Sequence, residues 1–170
     1  MDSCLEQLSG MVATATDGMS EEELSRHPEG KWCAAELLEH LYLTYTGTIK
    51  GMERALGAGK PLVTKASLQQ RLARLAVCGF GYLPEGRQAP AMARPRGLPR
   101  EQVKAEITRK IAAMDEMITR CEERFGRGRQ LLDHVILGPL TGAQWRKFHL
   151  VHGRHHLKQL RRLRQGMRLP

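Results

Sequence analysis

Residues 141–165 read TGAQWRKFHLVHGRHHLKQLRRLRQ, and the spacing inside this stretch decides the fold. At about 100° per residue, His149, His152 and His156 fall in one arc with Trp145, Leu160 and Leu163. Lys147, Arg154, Lys158, Arg161 and Arg162 occupy the opposite side. The segment reads as an amphipathic helix whose apolar, inward face carries imidazoles. Thr141 and Gln144 have capping-box spacing and set its start. Imidazoles on a buried stripe need partners, because an unpaired buried polar group costs roughly 1–3 kcal/mol.

The same periodicity recurs upstream. Leu5, Leu8, Val12, Ala15 and Met19 predict a helix over residues 3–17, and a second is expected over 34–56. Ser67 with Gln70 marks a shorter helix running to Cys78, with Gly79 placed to end it. Val103, Ile107, Ile111, Met114, Ile118, Cys121 and Phe125 form the cleanest stripe, on a helix over 99–124. Residues 79–99 are rich in Gly, Pro and Arg and read as a long irregular connection. No alternating strand pattern and no internal repeat is expected. The prediction is an all-α single domain over residues 1–170: a four-helix bundle with one short accessory helix and a long loop between helices two and three.

Bulk properties narrow the class. The chain has 170 residues, 41% hydrophobic and 26% charged, enough to build a core without staples. The absence of a basic start followed by an apolar run, or of any span-length apolar segment, points to a cytoplasmic protein. Cys4, Cys33, Cys78 and Cys121 form no CxxC pair, so free thiols are expected rather than a disulfide framework or a cysteine zinc site. The formal net charge is +9, yet residues 141–170 hold eight Lys or Arg and no Asp or Glu. The rest of the chain carries nineteen basic against eighteen acidic side chains, so the basicity belongs to one segment. That face could contact nucleic acid. Without aromatic interleaving or a recognised motif, a solvated helix face explains it more simply.

The histidines carry the chemistry. His152 and His156 are spaced i, i+4, so they point the same way from adjacent turns and can bind one metal. A third ligand is expected from another helix, and His40 is the natural candidate. It shares a face with Glu36, Leu37, Thr44, Gly47 and Gly51, where the glycines suggest close packing or room beside a ligand. His149 stands as a supporting donor, a mouth residue or an alternative ligand. His155 points about 100° away, and His134 more naturally serves the loop it lies in. Cys33 is about 10 Å along the axis from His40, too far to share its ion. It reads as a buried small residue, or as a thiol activated by the helix N-terminus.

Three blocks carry a resemblance: Trp32 followed by Glu36 and His40-Leu41; the run His134-Val135-Ile136-Leu137-Gly138-Pro139-Leu140-Thr141; and His152-Gly153-Arg154-His155-His156 with Gln159 behind it. Over residues 1 to 165 the chain resembles the DinB-like superfamily, which includes YfiT-like metal-dependent hydrolases. The resemblance implies an up-up-down-down four-helix bundle. It implies a metal held by one His of helix two and a His-x3-His pair of helix four, roles that fall on His40, His152 and His156. Some relatives transfer or isomerise substrates with low-molecular-weight thiols. Many relatives place Ser after the Trp as N-cap, where this chain has Cys33.

Three imidazoles with open positions suit zinc, nickel or another late first-row divalent ion. The expected function is therefore a metal-dependent enzyme, a hydrolase or thiol-linked transferase acting on a small molecule, with Glu36 or His149 handling protons. The alternative is a non-catalytic metal-binding or partner-binding bundle. A homodimer is a reasonable expectation for either, and no membrane association is expected.

Overall fold

The computed structural model describes residues 1–84, 86 and 88–166. Six α-helices are present among them: α1 (Ser3–Thr16), α2 (Glu21–Ser25), α3 (Ala34–Gly57), α4 (Leu68–Arg74), α5 (Arg100–Phe125) and α6 (Gly142–Gly166). The four long helices agree with the predicted ones to within two residues at each end. Their stripes do the packing. Leu5, Leu8 and Val12 of α1, and Val103, Ile107, Ile111, Met114, Ile118 and Cys121 of α5, are almost wholly buried. In the shared core α3 packs on α5, α1 on both α6 and α5, and α6 on α3 and α5. Among the described residues no helix is long and apolar enough to cross a membrane.

The expectation of an all-α chain without strands is overturned in one place. Gln130–His134 (β1) and Gly138–Thr141 (β2) pair antiparallel as a hairpin between α5 and α6. The reason it escaped pattern reading is local. The strands are five and four residues long, and a register irregularity between Gln130 and Leu132 leaves Leu131 and Leu132 both buried, so alternation is lost. Leu62 joins the edge of β1 through Leu62 N–H to Leu131 O (3.0 Å) and Asp133 N–H to Leu62 O (3.1 Å). Gly51 of α3 packs so closely on the Leu132 side chain that a Cβ would collide with it, which accounts for one of the two costly helix glycines. Gly47 has open space instead.

Two further differences are smaller. Helix α2 was missed, although Ser20 and Glu23 form a reciprocal capping box. The helix expected to end at Gly79 does so, but its last turn, Leu75–Gly79, widens to π geometry, closing with Phe80 N–H to Leu75 O (3.1 Å). The irregular stretch before α5 contains a 3-10 turn, Ala91–Ala93, which lies against α3. That contact positions the site.

Helix α6 is held at two levels. Thr141 and Gln144 exchange cap hydrogen bonds, as their spacing predicts. One and a half turns on, Arg146 donates to Asp115 Oδ1 and Glu122 Oε2 (both 2.7 Å) and to Thr119 Oγ1 (2.9 Å), all on α5. Asp115 also accepts from the Asp2 N–H at 2.7 Å, which ties the start of α1 to the same group. Farther along, Gly153 leaves α6 without a side chain where Leu8 of α1 presses against it.

Candidate metal centre

The inward stripe of α6 delivers His152 and His156 to one place, and α3 delivers His40 opposite them. The Nε2 atoms of His40 and His152 lie 3.1 Å apart, and those of His152 and His156 lie 3.0 Å apart. The three rings meet edge to face, with centroids 4.6 to 5.0 Å apart. His40 and His152 are buried, and His156 is half-buried. One ligand atom from each lies within 4.8 Å of the others, a group able to hold a metal ion.

The outer ring nitrogens say how far the site is prepared. His40 Nδ1–H donates to the Ala93 carbonyl at 2.7 Å, and His156 Nδ1–H donates to Gln159 Oε1 at 2.8 Å. Donation from Nδ1 leaves Nε2 as a bare lone pair aimed at the shared point, the arrangement of a metal-ligating His with its supporting acceptor. His152 lacks such an acceptor among the described residues: its buried Nδ1 has no partner. Its Nε2 proton can serve both neighbours when no ion is bound, and ligation requires that proton to move to Nδ1 or leave. Two nitrogens each about 2.0–2.1 Å from one zinc ion stand on the order of 3.3 Å apart, so the observed spacings need only small adjustment. The donor set fits a late first-row divalent ion.

Burial keeps these imidazoles neutral. It lowers the His40 pKa against the opposing pull of the Ala93 hydrogen bond, and holds His152 well below the usual value, helped by its histidine neighbours. His156 is pushed down to about 3, first by burial and then by His40. The walls are aromatic. The Trp32 ring lies 5.2 Å from His40, and Phe148 stacks on His152 at 5.3 Å and 12°.

The other candidates separate cleanly from this point. His149 is fully buried, with Nε2 3.0 Å from the Thr48 hydroxyl and its ring against Tyr45, Trp145 and Phe148. It lies in the core rather than at a mouth. His134 Nδ1 accepts from the Ile136 and Leu137 N–H groups (3.1 and 3.2 Å), so it closes the turn of the hairpin. His155 meets Gln159 rather than the shared point. Glu36 accepts from Cys33 N–H at 2.8 Å and pairs with His27 Nε2 at 3.0 Å, an engagement at the helix start away from proton handling. Burial raises the Cys33 thiol, which argues against an activated nucleophile.

Two contributors were invisible in the sequence. The Ala93 carbonyl comes from the stretch expected to be a shapeless connection. Glu39, adjacent to His40 and buried, grips that stretch by accepting from Arg96 N–H (2.7 Å) and Gly97 N–H (3.1 Å). Gly47 was read as close packing or room beside a ligand. The cleft at Gly47 is instead lined by Leu43, Thr46, Lys50, Glu53, Arg54, Met92 and Arg96, and Trp145 is buried in the core.

With this geometry in place, comparison with known proteins is informative at the level of family. The family described as a protein of unknown function (DUF1569) matches residues 6–163. The chain belongs to the DUF1569 family. The match takes in most of each long helix and all three clustered histidines of this DUF1569 member. No curated protein and no solved structure matches it.

A pH prediction arises from His149. Burial, with a smaller push from His134, lowers its pKa to about 3, against about 6.5 in an unfolded chain. The unfolded state then binds a proton the folded state refuses. Stability is full above about pH 6.5 and falls as pH drops toward 3. At pH 4 this residue's share of the loss is on the order of 3 kcal/mol. Urea titrations of metal-free protein at pH 7 and pH 4 should show a smaller pH difference in His149→Gln than in the wild type. An equal difference in the two would show that His149 protonates freely in the fold.

Proposed function

We propose that this chain is a DinB-like, up-up-down-down four-helix domain spanning residues 1–170, a metal-dependent enzyme whose divalent ion sits on His40, His152 and His156. The observation that carries the reading is the convergence of three Nε2 atoms, two of them backed by carbonyl acceptors on Nδ1. Zinc or nickel suits three neutral imidazoles. Structural zinc sites usually close with four protein ligands, and this group among the described residues has three. A position is therefore left for a small molecule. Bound there, the ion supplies a Lewis acid that lowers the pKa of a coordinated water or thiol toward neutrality. The reaction class is hydrolysis or thiol-linked group transfer on a small-molecule substrate. His40, His152 and His156 hold the ion, and Trp32 and Phe148 exclude water from two of the rings.

The test separates catalytic from structural metal. Stripping with a chelator should leave the helical circular dichroism intact, because the core is apolar and continuous. Reloading with cobalt should give a visible spectrum that shifts on addition of azide or a small thiol. Unfolding on stripping, or a spectrum indifferent to both additives, favours the second reading: a non-catalytic metal-binding bundle. One observation supports that second reading. Two surface clefts, at Gly47 and along the outer face of α6, are lined by residues other than the three histidines.

A further inference from the structure

We infer that His27, Cys33 and Glu36 form a second metal site, suited to a thiophilic divalent ion such as zinc, at the start of α3. The inference is independent of the three-histidine reading. One ligand atom from each of these residues lies within 4.8 Å of the others, and the three types supply nitrogen, sulfur and oxygen donors. That mixture is a zinc set, whereas the soft thiolate argues against magnesium or calcium.

Two of the donors face each other directly. His27 Nδ1 lies 3.2 Å from the Ser25 carbonyl, which takes its proton and leaves Nε2 facing Glu36 Oε2 at 3.0 Å. A proton on Nε2, or a cation between the two atoms, satisfies both. Glu36 Oε2 is also held by the Cys33 N–H at 2.8 Å. Cys33 is buried at the N-cap position, with its chain direction set by α3, while His27 is exposed and open to an arriving ion. Thiolate and carboxylate together neutralise a divalent charge, and both lie where a helix N-terminus favours anions. On binding, the Cys33 S–H bond is replaced by a sulfur–metal bond and the proton leaves to solvent. No electron is transferred.

The site would do something for its neighbour. Residues 27–36 include Trp32, whose ring lies 5.2 Å from His40. An ion joining His27 to α3 clamps the connection from α2 and holds that indole over the first site. The bland rival is a surface His27–Glu36 ion pair with Cys33 as a passive cap.

The experiment uses the stripped full-length chain and cobalt(II) alone as probe, reading cobalt bound per chain and the near-ultraviolet thiolate-to-cobalt band. The wild type should bind a second equivalent with that band. Cys33→Ser should lose the band and one equivalent, and it should fold, because Ser is a preferred N-cap. His27→Ala, at an exposed position, should weaken the second equivalent at least about tenfold. His40→Ala should keep the band. A wild type with no thiolate band, or a band that survives Cys33→Ser, overturns the second site. Failure of the three-histidine reading shows separately, as a His40→Ala variant that binds as much cobalt as the wild type.

Discussion

Replacing His40 with Ala is expected to weaken zinc binding at the three-histidine centre by at least about a hundredfold while leaving the protein helical. The expectation follows from the division of labour between helices. His152 and His156 come from adjacent turns of α6, and His40 is the one ligand that α3 contributes. Removing it leaves an i, i+4 pair on one helix, half-buried on one side and without the chelate formed between elements. Loss of a supporting partner typically costs 10–100-fold, and loss of a ligand should exceed that. Gln159→Leu, which removes the acceptor on His156 Nδ1, should therefore fall in between, at about tenfold. His155→Ala should match the wild type, because its ring nitrogen meets Gln159 rather than the shared point. Competition with a coloured chelator, run with the Cys33→Ser change in every sample, measures the series. An unchanged affinity in the His40 variant removes His40 from the ligand set.

Arg146→Met is expected to destabilise the fold by about 3–5 kcal/mol, the cost of breaking a buried ion pair from one side. The guanidinium and both its carboxylate partners have side chains about a tenth exposed or less. Without Arg146, Asp115 and Glu122 remain buried on α5 with no cation between them. Among the described residues Asp115 keeps the Asp2 N–H, and Gly142, pressed against Glu122, leaves that carboxylate little room to turn outward. The arginine lies on α6 upstream of the ligands, so the damage should appear in urea or thermal unfolding and not in zinc affinity of the folded protein. Adding Asp115→Asn and Glu122→Gln to the Met variant should recover part of the loss. A variant as stable as the wild type would mean that water reaches these carboxylates.

How much of this could be read in the sequence depended on whether the signal was local. Helices α1, α3, α5 and α6 declare themselves by apolar spacing, and the stripe from Val103 to Cys121 is buried along its whole length. His152 and His156 were legible because a helix brings i and i+4 together without help from the rest of the chain. His40 needed more: it was a candidate by its face and gained its role from a family resemblance. The hairpin was illegible because its strands are short and the Leu131–Leu132 pair breaks alternation. Ala93 had no readable signal at all, since a backbone carbonyl looks the same in every residue. Its role is set by Glu39 gripping residues 96 and 97, a partnership across 57 and 58 positions that no local pattern encodes. The Arg146 group is of the same kind, joining α6 to positions 24 to 31 residues away.

The separation between His40 and His152 also orders events in time. The two are 112 residues apart. A ribosome adding about 5–20 residues per second takes roughly 6 to 22 s to make the intervening chain. Throughout that interval His40 has been made and the two imidazoles of α6 have not. An ion held by all three cannot act as a template for the early helices. Such an ion would find its full ligand set only once α6 has been made. A chain cut short before α6 would lack two of the three imidazoles of this group.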